Sequence, residues 1–183
     1  MTEDAWGAPA AWLVAHEQLL PTTGDALDAA CGRGRHALWL AARDLRVRAI
    51  DRDERVLLTL RETARAGCLQ IDIEARDLEL AAVDLGRDRY DLIVCVHYLH
   101  RPLFPALLAA LRPGALLVYE TFTRAQARRG KPTNPAFLLE PGELRVLTRG
   151  LTVLDEREGE FDGRDVASIV CRKEWASASS EAV

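Results

Sequence analysis

The strongest constraint in this sequence is an alternation of short apolar runs with helical stretches. Ala26 to Ala30 is a short apolar run that ends in Cys31-Gly32-Arg33-Gly34, and Arg35 to Arg43 after it reads as a helix. Leu45 to Asp51 reads as a second strand. Asp53 to Ala66 reads as a helix with Leu57, Leu60 and Ala64 on one face, Asp53 as its N-cap and Gly67 as its C′ residue. From Leu69 to Asp77 apolar and polar residues alternate strictly, the pattern of a half-exposed edge strand. Leu92 to Val96 is apolar without interruption, as expected of a central strand buried on both faces. Pro102 opens a further helix, Pro113-Gly114 stops it, and Ala115 to Thr121 is another apolar strand. Strands alternating with helices imply right-handed crossovers and a largely parallel sheet, so the fold class is α/β.

The last third is built differently. Phe122 to Pro135 is polar and basic and reads as a long loop. Pro141 to Arg149 reads as a short helix closed by Gly150. Two strand-like runs, Leu151 to Phe161 and Val166 to Lys173, meet at Asp162-Gly163, a strong hairpin signal. The expectation is a seven-stranded sheet that ends in an antiparallel pair. Ala176 to Val183 is small and polar and is expected to fray. No repeat or linker splits the chain, so residues 1–175 are expected to form one domain.

Composition excludes several function classes. A chain of 183 residues, 49% hydrophobic, suits one sizeable core. Net charge is −4 and the arginines are scattered, with Lys131 and Lys173 the only lysines, so no global basic field is available for a long nucleic acid. The first basic residue is Arg33, which leaves no positive n-region for a secretory signal. The uncharged stretches around Leu92 to His100 and Pro102 to Leu111 are too short to cross a bilayer. Cys31, Cys68, Cys95 and Cys171 lie far apart with no Cys-x-x-Cys, so neither a metal site nor a redox pair is expected. A reduced, cytoplasmic setting follows, with each cysteine acting as a small buried apolar residue.

Three carboxylates carry the functional reading. Asp28, Asp51 and Asp77 stand at the C-terminal ends of three consecutive strands, and Gly32 and Gly34 follow the first of them. In an open α/β sheet those ends line the ligand crevice, and glycines there let the backbone turn tightly and approach a ligand. Asp51 can accept both hydroxyls of a ribose. Asp77 can take an amino group of adenine while the Leu78 amide meets the ring. A dinucleotide would set its pyrophosphate on the first helix N-terminus, where Asp28 repels phosphate. The same carboxylate suits a ligand that adds an ammonium and a sulfonium to adenine and ribose, the makeup of S-adenosylmethionine (SAM). The plainer readings are turn residues for Gly32 and Gly34, caps for Asp28 and Asp51, and a solvated strand end for Asp77.

Asp28-x-x-x-Gly32-x-Gly34, Asp51, Asp77-Leu78 and Tyr90-Asp91-Leu92-Ile93 together resemble the motifs of class I SAM-dependent methyltransferases, over roughly Leu27 to Lys173. The resemblance implies a Rossmann-like, seven-stranded, mostly parallel sheet with a C-terminal antiparallel hairpin, and SAM as cofactor. It implies a cofactor-binding set of Asp28, Ala30, Gly32, Gly34, Arg35, Asp51, Arg52, Asp77, Leu78 and Val96. Arg35, a cation at a helix N-terminus, needs a carboxylate partner, and the cofactor's own is one choice. More narrowly, Gly32 to Ala41 and Phe137 to Arg145 are similar to segments of the tellurite-resistance (TehB-type) methyltransferases. That family carries His-Arg in its hairpin where this chain has Asp162-Gly163, and its fourth strand does not run into Val96-His97-Tyr98-Leu99-His100-Arg101-Pro102. Fold and cofactor carry over on this resemblance; the oxyanion substrate does not.

His97 and Tyr98 follow the fourth strand, close to where a transferred methyl group would lie, and are the candidate catalytic residues; the plainer reading makes them cavity wall. Arg101 could grip an acidic substrate group. Arg124, Arg128, Arg129 and Lys131 form the one basic cluster, either a solvated loop or a grip on an anion or RNA phosphate. His36 and Trp39 read as packing residues. The N-terminal segment with Trp6, Trp12 and His16, together with the Phe122 to Pro135 loop, is expected to form a lid. The resulting expectation is methyl transfer from SAM to a small-molecule acceptor. No Asn/Asp-Pro-Pro-aromatic motif follows the fourth strand and no Pro-Cys is present, so nucleic acid is not the expected partner. The rivals are an RNA methyltransferase using the 124–131 loop, a SAM-binding protein without catalysis and a nicotinamide dehydrogenase. The sequence sets no oligomeric state.

Overall fold

A computed structural model describes residues 7–80 and 83–175. The expected frayed tail, Ala176 to Val183, and Trp6 lie outside the described residues. Seven strands form one sheet: β1 Gly24–Ala29, β2 Leu45–Asp51, β3 Ile71–Ala75, β4 Tyr90–Val96, β5 Leu111–Phe122, β6 Thr152–Phe161 and β7 Arg164–Arg172. Their order is β3-β2-β1-β4-β5-β7-β6. The first five run parallel, and β7 pairs antiparallel with both β5 and β6. The helices are α1 Ala11–Ala15, α2 Arg35–Ala41, α3 Glu54–Ala66, α4 Phe104–Ala110 and α5 Glu143–Leu147.

Strand alternation divides the core into two layers. In β4, Ile93 and Cys95 join Phe104 and Leu107 of α4 and Leu144 of α5. Leu92, Val94 and Val96 join Leu13 of α1, Leu38 and Leu40 of α2, and Leu57 and Leu60 of α3. β4 is therefore buried on both faces, as its unbroken apolar run requires. Each fully buried Leu or Ile contributes roughly 1.5–3 kcal/mol through burial. At the sheet edge β3 remains only partly buried, and the expected alternation holds from Ile71 to Ile73 but not at its end, where Glu74 is half-buried and Ala75 exposed.

Three local expectations are corrected. β5 starts at Leu111 and α4 has already ended at Ala110, so Pro113-Gly114 lies inside the strand. Proline has no N–H to give to the ladder, and the β4–β5 register shifts between Tyr90 and Leu92 beside it. Gly67 keeps a right-handed φ of −86°, and the left-handed residue after α3 is Cys68 at +55°. The Leu69 N–H reaches back to the Ala64 carbonyl (2.9 Å), which closes the helix one residue later than expected. Cys68 is exposed, whereas the other three cysteines are buried. The Asp162-Gly163 hairpin is as expected: both residues have positive φ, +51° and +73°, the requirement of a type I′ turn. Among the described residues, no helix is long and apolar enough to cross a membrane, and no His/Cys/Asp/Glu group could hold a metal ion.

Candidate functional site

A cavity of about 630 Å³ opens at the C-terminal ends of the central strands, a size typical of small-molecule sites. Ala30, Asp51, Arg52, Asp77 and Leu78 form one side of it, and His97, Tyr98 and Leu99 after β4 form another. Phe122 and Lys131 to Asn134 close the remaining wall, so part of the expected lid loop reaches the cavity. That loop is not featureless: it holds a 3-10 turn at Arg124–Arg128, and a second follows at Pro135–Phe137.

The loop after β1 is built from left-handed residues, Ala30 (φ +56°), Gly32 (+54°) and Gly34 (+76°). The Cys31 N–H donates to the Ile50 carbonyl (2.9 Å) and ties the loop to β2. The Gly32 N–H donates to Asp51 Oδ2 (2.8 Å), and the Asp53 N–H to Asp51 Oδ1 (2.9 Å). Asp51 thus fixes the glycine loop and the entry to α3 together. Asp53 caps α3 by accepting from the Arg55 N–H (2.9 Å), as expected. The two glycines serve different ends. A Cβ on Gly32 would meet open space, whereas one on Gly34 would lie 2.4 Å from Leu60 Cδ1. Gly34 lets α3 pack against the loop, and Gly32 borders open space; neither glycine is among the residues that line the cavity.

Asp28 does not face the cavity. It is 1% exposed, and its Oδ2 accepts the Ala37 N–H of α2 (2.9 Å). The carboxylate therefore braces the start of α2 from below. Burial pushes its pKa up to about 7, against the Ala37 hydrogen bond. His36, 3.9 Å away through Nδ1, is pushed down to about 3, chiefly by burial, and its Nε2 accepts the Ala10 N–H (3.2 Å). His36 and Trp39 are buried packing residues, as expected. Val96 is buried in the layer with α2 and α3 and does not line the cavity. Arg35 is also absent from the main cavity's walls; it donates to the Ala8 carbonyl (3.2 Å).

On the opposite side Asp77 Oδ1 accepts the Glu79 N–H (2.8 Å), and Arg52 lies 3.6 Å from Glu79. Leu78 beside them is buried. His97 adopts a left-handed φ of +60°, uncommon for a residue with a large side chain and a kind of strain that gathers at functional sites. Its N–H donates to the Glu120 carbonyl (2.7 Å), and its ring stacks on Phe122 at 4.7 Å. Burial, helped by the charge of Arg35, pushes its pKa down to about 4, so the ring is neutral at pH 7. Tyr98 is held by the Tyr119 hydroxyl, which donates to its carbonyl (2.7 Å), and burial raises its own hydroxyl pKa. His97 Nε2 and Tyr98 Oη are both buried without a hydrogen-bond partner. Unsatisfied polar atoms on a cavity wall are available to a ligand.

Other expected contacts are occupied within the fold. Arg101 donates to both oxygens of Glu143 (2.6 and 2.8 Å) and to the Ala136 and Leu138 carbonyls, so it ties the segment after the 122–135 loop to α5. In the basic cluster Arg124 pairs with Glu140, and Arg129 with Asp165 and Glu160. Glu120 was missed. A single acid inside the apolar run of β5 was the available signal: it is buried, accepts from Ser168 Oγ (2.7 Å) and lies 3.8 Å from His97 Nε2.

Residues 26–114, just under half of the chain, match the family described as methyltransferase domain. No curated protein matches the sequence. Among solved structures the chain is similar to TehB from Haemophilus influenzae, with 21% identity and a TM-score of 0.74; 88% of this chain is covered, and it spans 61% of that one. A structure concerned with conversion of a disulfide bond into a thioacetal group during echinomycin biosynthesis is 25% identical, with 95% of this chain and 85% of that chain covered and a TM-score of 0.73. An S-adenosylmethionine-dependent methyltransferase from Mesorhizobium loti is 19% identical, with 94% and 100% covered and a TM-score of 0.72.

Proposed function

With residues 26–114 a methyltransferase domain on a class I methyltransferase fold, we propose that this enzyme binds SAM in the 630 Å³ cavity and methylates a small-molecule acceptor. The observation that carries the reading is Asp51. Its carboxylate is held in place by two backbone amides, lines the cavity, and keeps lone pairs for ribose hydroxyls. Asp77 and the buried Leu78 suit an adenine placed alongside. Bound SAM supplies a methyl group on a positively charged sulfur. The chain's own part is to orient the acceptor, exclude water and, where the acceptor must lose a proton, take it at the neutral His97 imidazole. Asp28 acts through the frame of the site rather than as a direct cofactor ligand, and Arg35 lies outside the cofactor cavity. A small acceptor is favoured over RNA because Arg124 and Arg129 are already neutralised by carboxylates. A reduced cytoplasmic setting goes with this reading.

The test is a calorimetric titration with S-adenosylhomocysteine. Wild-type chain should bind it, and Asp51→Ala should lose roughly 2–4 kcal/mol, about 30-fold or more in affinity. Asp51→Asn, which keeps an acceptor for the Gly32 N–H, should lose less. Undiminished affinity in Asp51→Ala would remove the ribose assignment.

A further inference from the structure

One group of charges has no part in the cavity just described. On the far side of His97 lies a second cavity of about 260 Å³, between Ala8 to Ala11, the start of α2 and the β6–β7 hairpin. Arg35, Arg157 and Arg164 line it, against the carboxylates of Glu120 and Asp162. Arg157 is committed within the fold: it donates to Glu120 Oε2 (3.1 Å) and Ser168 Oγ (3.2 Å), and lies over the Phe161 ring. Arg35 and Arg164 have no carboxylate within 4 Å among the described residues, and Arg35 donates to a neutral carbonyl. They stand close enough that the charge of Arg164 adds to burial in lowering the Arg35 pKa. Half-buried Arg35 and exposed Arg164 line the same cleft, so an anion placed between them would meet both positive charges.

We propose that this second cavity anchors a carboxylate of the methyl acceptor between Arg35 and Arg164, so that the acceptor's reacting atom lies at His97. The proposal rests on the methyltransferase reading and adds the substrate class to it. His97 lines both cavities, and its Nε2 is a buried polar atom without a partner. Among the described residues, three arginines against two carboxylates leave one positive charge over, which a monoanion balances. A phosphate dianion would overshoot beside Glu120 and Asp162. The fork of a guanidinium also matches a carboxylate with two parallel hydrogen bonds. The volume admits a small organic acid.

The experiment separates this from the cofactor reading. The chain, with and without saturating S-adenosylhomocysteine, is titrated by calorimetry at fixed ionic strength with acetate, benzoate and salicylate, and with the amide of each. At least one acid should bind tenfold or more tightly than its amide. Arg164→Gln should weaken that binding at least tenfold and Arg35→Gln likewise, while Arg164→Lys should restore part of it. Circular dichroism and melting temperature confirm that the variants fold; Arg164 is exposed at the start of β7. Acids and amides binding alike, no acid binding, or full acid affinity in Arg164→Gln would overturn the proposal. Failure of wild-type chain to bind S-adenosylhomocysteine would instead sink the cofactor reading, with acid discrimination in the unliganded chain still read independently.

Discussion

Gly34→Ala and Gly32→Ala make the same chemical change two residues apart, and the structure assigns them different costs. At Gly34 the backbone has a φ of +76°, and the new Cβ would lie 2.4 and 2.6 Å from the two Leu60 methyl carbons. Leu60 is fully buried among α1, α2 and α3, so it cannot simply swing aside. A left-handed alanine costs roughly 1–2 kcal/mol. Overpacking a core side chain costs roughly 1–3 kcal/mol more. Restricting the unfolded chain returns about 0.4–1 kcal/mol. The net loss is about 2–4 kcal/mol, a large part of the roughly 5–15 kcal/mol that holds a domain folded. At Gly32 φ is +54° and the Cβ meets nothing within 4 Å, so only the backbone cost applies, about 0.5–1 kcal/mol after the same correction. The Gly32 N–H holds Asp51 in place, so S-adenosylhomocysteine affinity should suffer most in that variant. Urea denaturation and calorimetry on the two proteins measure both quantities. Equal stabilities, or Gly32→Ala as the less stable of the pair, would refute the assignment of Gly34 to packing.

Two further outcomes are expected. His97→Ala should lower turnover on the identified acceptor by roughly 10²–10⁴, and the wild-type rate should fall on the acid side only near the His97 pKa of about 4; a change within threefold would make His97 a wall residue. Between about pH 4.5 and 6 the unfolded chain carries protons on His36 and His97 that the folded chain sheds, while folded Asp28 holds one that the unfolded chain sheds. From these three groups stability rises with pH by about 1.4 kcal/mol per unit, and Asp28→Asn should steepen the rise to about 2.7; a pH series of denaturation midpoints showing no change in slope would count against the buried, protonated Asp28.

Periodicity located the elements whose pattern is local. β2 matches its expected bounds from Leu45 to Asp51, and the Asp162-Gly163 turn depends on two residues whose preferences the sequence displays directly. Elements shaped by distant partners were less legible. The start of β5 at Leu111 depends on pairing with Tyr90, and no window around Pro113 reveals that contact. Asp51 and Asp77 line the cavity, and that position was legible because strand ends converge in an open sheet. The direction of Asp28 was not, because its partner is a backbone amide nine residues ahead, exposed only by the way α2 begins. The cavity around Arg35 and Arg164 joins residues more than a hundred positions apart, which no spacing rule connects.

The place of β7 in the sheet has a consequence for how the chain is made. β7 is the last strand in sequence, yet it sits between β5 and β6. Until Arg172 has left the ribosome, β5 carries an open edge along Leu116 to Phe122, a run that is largely buried in the finished sheet. β6 has no partner during the same interval. Once closed, the sheet presents β6 as its outer edge, and that strand carries Asp155, Glu156, Arg157, Glu158 and Glu160, charges that discourage pairing with another chain. The nascent protein lacks this protection when its apolar edge is most exposed, so the interval before the final hairpin docks is the time of greatest hazard from aggregation.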